Sequence, residues 1–414
     1  MQWRSGAFVR QPTGYSAFIP KPLPPDPPIY LDAEMLELLS LADRALGRLD
    51  GSTEVLPNPE LFLAMYVRQE AVLSSQIEGT QASLLDILEY EADAARESRP
   101  SDVGEIVNYV RAMTRGMELL DTLPLSLRLI REIHAELLRD GRGSHYQPGE
   151  FRTSQNWIGP SGATIERATF VPPPPYEMNQ AMGDLERFIH DPRPLPILLK
   201  CGLVHAQFET IHPFLDGNGR MGRLLITFLL IERGILHRPL LYLSYFFKRH
   251  RDEYYDLLQG VRLKGDWESW LKFFLRAVEE VGNAATETAR QILRLREEHR
   301  ELIRQRGTSR ANAEHLLERL FEKPIMSVQQ AAALLEVSYP TANNLIAQFV
   351  QLGVLEETTG SARKRIFAYQ KYLNLFATDL SATVVTQESR PWAETEARSK
   401  DDLPRRPGAQ RGDE

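Results

Sequence analysis

Ile211-His212-Pro213-Phe214-Leu215-Asp216-Gly217-Asn218-Gly219-Arg220-Met221-Gly222-Arg223 is the stretch on which the reading of this chain turns. It joins two helical patterns, Ile197 to Thr210 before it and Gly219 to Arg233 after it. Glycines on both sides of Asn218 let the backbone approach a ligand without Cβ obstruction. The next helix begins there, and its unpaired N–H groups and positive dipole end form an anion site. Arg220 and Arg223 share one face of its first turn, where two guanidinium forks suit phosphate oxygens. Asp216 is a hard oxygen donor placed to hold Mg²⁺ against such phosphates. His212 supplies a group whose ordinary pKa, about 6.5, suits a general base at neutral pH. Base, metal ligand, phosphate cradle and paired arginines so close together describe a phosphoryl or nucleotidyl transfer site.

Outward from this loop the chain reads as helix. Apolar residues recur at three- and four-residue spacing from Asp32 to about Ala95. Helical patterns resume over Val103 to Leu120, Ser126 to Leu138, Met178 to Ile189, Arg249 to Leu263 and Trp267 to Arg306. One segment breaks the pattern: Asn156-Trp157-Ile158 and Ala168-Thr169-Phe170-Val171 flank a Gly159-Pro160-Ser161-Gly162 turn and predict a short hairpin, stopped by Pro172 to Pro175. Residues 1–30 are proline-rich and read as an extended arm.

The 414 residues are too many for one ordinary domain. The net charge of −7 argues against a chain that coats nucleic acid. A single cysteine, Cys201, excludes an intramolecular disulfide and points to a reducing compartment, and its apolar neighbours make it a structural thiol. No apolar segment follows Met1 as a secretory signal would, and the apolar run Leu224 to Ile231 is too short for a bilayer. The expected location is the cytoplasm, with no membrane partner.

Residues 311–376 carry a separate signature: a helix at Ala313 to Leu320, a second capped by Ser327, a turn at Val337 to Pro340, a third helix from Thr341 to Leu352 closed by Gly353, and short strands near Val354-Leu355 and Ile366-Phe367. This is a winged-helix pattern. Its third helix holds no lysine or arginine, and the module carries six basic and six acidic residues. A neutral module is a poor DNA ligand, which favours a protein-interaction or dimerisation role, although Arg363-Lys364-Arg365 keeps DNA open. The expected divisions are 1–100 for the arm and first helices, 101–290 for the catalytic core, 291–310 for a linking helix, 311–376 for the winged helix and 377–414 for a disordered polar tail.

The loop from His212 to Arg223 resembles the H-x-F-x-D/E-G-N-G-R-x-x-R motif of Fic domains, and every defined position is met. The resemblance spans roughly residues 10 to 375. Phe18-Ile19-Pro20-Lys21-Pro22-Leu23-Pro24-Pro25 looks like the N-terminal region of bacterial Fic proteins, and Phe151 to Gly159 with Phe170 to Pro174 looks like the family's flap. It implies an all-α, mainly helical Fic core with a β-hairpin flap, and an enzyme that transfers AMP from ATP to a Tyr, Thr or Ser hydroxyl of an unidentified target protein, or to itself. By the same resemblance His212 deprotonates the hydroxyl and Asp216 holds Mg²⁺ on the α- and β-phosphates. Gly217, Asn218 and Gly219 bind phosphate oxygens, Arg220 and Arg223 bind the β- and γ-phosphates, and Phe214 anchors the loop. Trp157, Ile158 and Gly159 are placed to cover the nucleotide and dock the target, against a core role for Trp157. Tyr255 and Leu258 fall in the region that lines the adenine pocket of similar proteins, with core packing as the alternative. His205 and Glu209 read as structural support.

Ser74-Ser75-Gln76-Ile77-Glu78-Gly79 closes a helix from Tyr66, with Ser74 and Glu78 on one face. A glutamate near a helix C-terminus opposes the dipole, which hints at a partner elsewhere. The segment resembles the S/T-x-x-x-E-G/N inhibitory motif of Fic proteins, which implies that Glu78 pairs with Arg223 and keeps ATP out of the productive pose. The alternatives are removal of AMP from a modified protein by the same site, and a winged-helix regulator that only senses nucleotide.

Overall fold

The computed structural model describes residues 4–54, 59–92, 101–140, 143–160, 162–306, 310–359 and 365–377. The expected disordered tail and most of the basic wing, Arg363-Lys364, lie outside them. The arm is not merely extended. β1 (Gly6–Arg10) and β2 (Ser16–Pro20) pair antiparallel, with Ala7 opposite Ile19 and Val9 opposite Ala17. The proline run starts only as this ladder ends, so it masked a hairpin that needs no proline N–H. β2 also donates from Phe18 N to Val171 O at 2.9 Å, which ties the arm to the flap.

The helices follow as α1 (Ala33–Glu54), α2 (Pro59–Ile77), α3 (Leu84–Ala92), α4 (Ser101–Leu120), α5 (Leu127–Leu137), α6 (Pro175–Ile189), α7 (Ile197–Ile211), α8 (Asn218–Glu232), α9 (Ser244–Arg249), α10 (Arg251–Lys264) and α11 (Trp267–Arg306). Helices α7 and α8 sit at the centre. Nearly every residue from Leu198 to Leu230 is buried, as expected of helices with no polar face. Close approaches fix this pair. A Cβ on Gly202 would lie 2.7 Å from Leu271 of α11, and one on Gly116 of α4 would lie 2.2 Å from the Phe228 ring of α8. α11 runs unbroken into the segment read as a linker, as far as Arg306, spanning about 60 Å at 1.5 Å per residue. The flap is slighter than a hairpin ladder: one antiparallel bridge joins Ile158 to Phe170, with a 3-10 turn at Ile165–Arg167 between them.

The C-terminal elements are α12 (Arg310–Glu322), β3 (Ile325–Ser327), α13 (Val328–Leu334), α14 (Tyr339–Gln351), β4 (Glu356–Glu357), β5 (Ile366–Ala368) and α15 (Gln370–Ala377), with strand order β3-β5-β4. Ser327 and Gln330 form a capping box on α13, Ser338 caps α14, and Gly353 takes a positive φ of 69° just past α14. β3 and α15 escaped the sequence reading because each is short and lacks a clear period. These elements rest on the helical core. The Phe376 ring meets Tyr66 of α2 edge-on at 5.5 Å, Tyr369 Oη lies 2.7 Å from His299 Nδ1, and Arg296 pairs with Glu318. Among the described residues no helix is long and apolar enough to cross a membrane.

Candidate active site

α7 ends at Ile211, and His212 turns the chain with φ 50° and ψ 63°, a left-handed conformation uncommon outside glycine. Gly217 turns it again with φ 78° and opens α8. Between these corners the loop is pinned from inside. The Asn218 side chain accepts from Phe214 N and donates to Phe214 O, both at 2.9 Å. The Phe214 ring lies flat on His134 of α5, with centroids 3.6 Å apart. Gly149 N donates to His134 Nδ1 at 2.9 Å, so Nε2 carries the proton and donates to Asp216 O at 2.9 Å. Burial pushes the His134 pKa down to about 4, which keeps the ring neutral in this role.

His212 is 1% exposed, and burial, with Arg262 and Arg152 adding to it, pushes its pKa down to about 3. Its ring is therefore neutral at physiological pH: a proton acceptor, but a weaker one than the ordinary imidazole assumed from sequence. The two arginines also fix the loop to the flap. Arg152 donates to His212 O at 2.9 Å, and to Ser154 O, Pro173 O and Ile211 O. Arg262 lies over the Phe170 ring at 4.0 Å and donates to Glu209 O at 3.0 Å. Asn156 Nδ2 donates to Phe214 O at 3.0 Å.

Asp216 Oδ1 accepts from Gly217 N at 2.6 Å and lies 3.5 Å from Arg220 Nη2. Its Oδ2 faces the backbone of Gly143, where a Cβ would stand 2.8 Å away. Only a glycine at position 143 lets the backbone come this close to the carboxylate. Arg220 Nη1 lies 3.4 Å from Glu105 Oε2 of α4. Arg223, whose side chain is 2% exposed, donates from Nε to Ser74 Oγ at 2.8 Å and from Nη2 to Ser74 O at 3.0 Å, and pairs with Glu78 Oε1. Glu78 sits directly over the first turn of α8, since a Cβ on Gly219 would be 2.2 Å from its Oε1.

Around that pair lies a buried network. Glu70 of α2 accepts from Ser244 N at 3.1 Å, from Ser244 Oγ, and from Tyr109 Oη at 3.1 Å. Burial raises its pKa to about 7. Glu209 is likewise raised to about 7, by burial first, and a Cβ on Gly222 would meet its Oε1 at 2.4 Å.

The other sequence candidates lie at the rim. Trp157 is half-buried and donates from Nε1 to Ala163 O at 2.9 Å, within the flap. Ile158 makes the flap's bridge, and Gly159 packs on Ala168 with room for ordinary contact. Tyr255 is half-buried beneath the Arg251 guanidinium, whereas Leu258 is a core residue at 2% exposure. The structure thus brings His212, Asp216, Gly217, Asn218, Gly219, Arg220, Arg223, Ser74 and Glu78 into one contiguous site. Glu70, Glu105, His134, Arg152, Asn156 and Arg262 belong to it too and were missed. Glu70 and Ser74 on α2 and Glu78 in the turn just after it are spaced by fours, a signal present in the sequence; the others gave none.

The site is thus an anion-binding loop and helix terminus, with a neutral buried histidine, at the heart of a helical bundle. Residues 36–118 match the Fic/DOC family N-terminal model and residues 124–230 match the Fic/DOC family model, so these adjoining regions carry both Fic/DOC signatures. Similar proteins include a probable protein adenylyltransferase of Aquifex aeolicus, 29% identical over 178 residues that make up 43% of this chain and 52% of that one. A protein adenylyltransferase Fic of Aedes aegypti is 32% identical over 37% of this chain and 28% of its own. The chain therefore spans about half of the first relative and under a third of the second. The crystal structure of a Fic family protein from Desulfovibrio desulfuricans shares the fold, with TM-score 0.52 and 20% identity, over 83% of this chain and 97% of that one.

Proposed function

We propose that this chain is a protein adenylyltransferase that moves AMP from ATP to a hydroxyl side chain of a target protein, and that Glu78 holds it in check. The observation that carries the reading is the Glu78 carboxylate seated over Gly219 and against Arg223. The first turn of α8 already binds an anion there, supplied by the chain itself. A nucleotide's terminal phosphate has the same charge and the same need for a guanidinium fork, so the two compete.

The chain's residues divide the work as follows. N–H groups at the start of α8, with Arg220 and Arg223, hold the phosphate tail. The acceptor oxygen attacks the α-phosphorus, the bond to the bridging oxygen breaks, and pyrophosphate leaves with the electron pair. The acceptor's proton passes to His212, which burial keeps neutral and ready to receive it. Asp216 fits a role as Mg²⁺ ligand, because its hard carboxylate oxygens stand at the start of α8 beside Gly217 N and Arg220. Among the described residues no group of three or more His, Cys, Asp or Glu side chains could hold a metal, so the ion would draw its remaining ligands from phosphates and water. Bound there, Mg²⁺ would offset the charge that builds on the phosphates.

The flap is the reading for target docking, by main-chain pairing beside the Ile158–Phe170 bridge. The C-terminal module is read as a winged helix that binds protein, since α14 exposes Tyr339 and carries no basic residue. The single buried cysteine supports a reducing compartment. Intact mass spectrometry after incubation of the Glu78→Gly chain and a cell lysate with ATP and Mg²⁺ tests the proposal. Covalent AMP on the chain or on lysate proteins is expected; a different adduct or none contradicts it.

A further inference from the structure

Glu105 lies where the inhibitory segment and the phosphate cradle meet. Its Oε2 accepts from Thr80 Oγ1 at 3.1 Å and lies 3.4 Å from Arg220 Nη1. Both of these contacts are buried, with Glu105 5% and Arg220 3% exposed. Thr80 stands two residues past Glu78, across a turn in which Gly79 takes a φ of 97°. One turn earlier on α4, Asp102 Oδ2 accepts from Gln81 N at 3.0 Å. The start of α4 thus grips the chain just beyond Glu78 while it holds the first arginine of the cradle.

We infer that Glu105 is a positioning residue for Arg220, and that through Thr80 it also latches the inhibitory segment. The inference rests on the adenylyltransferase reading. Arg220 stands between two carboxylates, Glu105 at Nη1 and Asp216 Oδ1 at 3.5 Å from Nη2. A buried guanidinium seeks two-point carboxylate contact. With Glu105 in place, the fork is shared between the two carboxylates. Without that charge the guanidinium swings wholly onto Asp216, a bidentate pair that ATP must break. Glu105 therefore aids nucleotide binding although it bears the same sign of charge as the phosphates.

Two substitutions separate the roles. Glu105→Gln keeps an oxygen for Thr80 and removes the charge, whereas Thr80→Val removes the hydroxyl and keeps the charge. Placed in the Glu78→Gly chain, Glu105→Gln should raise the KM for ATP and the calorimetric Kd roughly tenfold, with kcat within about twofold. Thr80→Val in that chain should leave both constants within about twofold, but in the otherwise native chain it should raise AMP incorporation. A merely structural Glu105 would make the two variants lose stability together and leave KM alone. If Glu105→Gln does not fold, Glu105→Asp, with its charge drawn back from Arg220, should give a smaller rise in the same constants. An unchanged or tighter ATP affinity in the folded Glu105 variant overturns the inference. If the Glu78→Gly chain transfers no AMP, the proposed function fails instead, and calorimetric ATP affinity still decides the role of Glu105.

Discussion

Glu78 and Arg223 stand 145 residues apart in sequence and meet as an ion pair over the first turn of α8. One short stretch of α2 and the turn after it hold Arg223, through Ser74 Oγ, Ser74 O and Glu78 Oε1. Burial opposes charge on this guanidinium, and Glu78, ahead of Tyr254 and Tyr255, holds its pKa well above the ordinary arginine value. A cation so enclosed is poised for exchange between two anions.

His212→Ala should lower AMP transfer by about 10²–10⁴-fold while ATP binding persists, because the proposed function assigns the phosphate contacts to α8. With its pKa pushed down to about 3, His212 should also impose no loss of kcat as pH falls from 7 to 5. A profile that drops through pH 6.5 would show that the working base titrates as an ordinary histidine.

Asp216→Ala should abolish the metal requirement together with most activity. The check is transfer measured with and without excess chelator in native and variant chains. Wild-type activity that survives chelation would remove Asp216 from the metal role.

Arg152→Met should destabilise the fold by about 3 kcal/mol and slow transfer. It strips the donor from carbonyls of His212, Ile211, Ser154 and Pro173 in a buried place. Denaturant unfolding measures the first effect and kcat the second. A stable, fully active variant would mean that flap and loop hold together without it.

Much of this architecture was legible. Long helices with a clear apolar period, such as α11, showed themselves almost to the residue, and the loop from His212 to Arg223 lies between two helices where its sequence put it. What stayed dark depends on contacts between distant segments. The lowered pKa of His212 arises first from burial and then from Arg262 and Arg152, which sequence cannot place beside it. The Asn218 side chain, read as a phosphate ligand, is hydrogen-bonded to Phe214 of its own loop. The β1–β2 hairpin was hidden by nearby prolines, and β3 by its length of three residues.

The contact between Phe376 and Tyr66 joins the C-terminal module to the helix that carries Ser74. Phe376→Ala should cost about 3 kcal/mol and raise AMP incorporation, because a cavity there loosens α2. Lower stability without a gain in transfer would show that the module is coupled to the fold alone.

The central claim is that Glu78 and nucleotide phosphate compete for Arg223. Its most direct measurement is AMP incorporation by the native chain, Glu78→Gly, Arg223→Ala and the double variant, side by side. Misplaced phosphates can cost about 10²-fold in rate, so Glu78→Gly should exceed the native chain by a factor of that order. Arg223→Ala should be inactive with or without Glu78. A Glu78→Gly chain no more active than the native one, or an Arg223→Ala chain that still transfers AMP, would contradict the account.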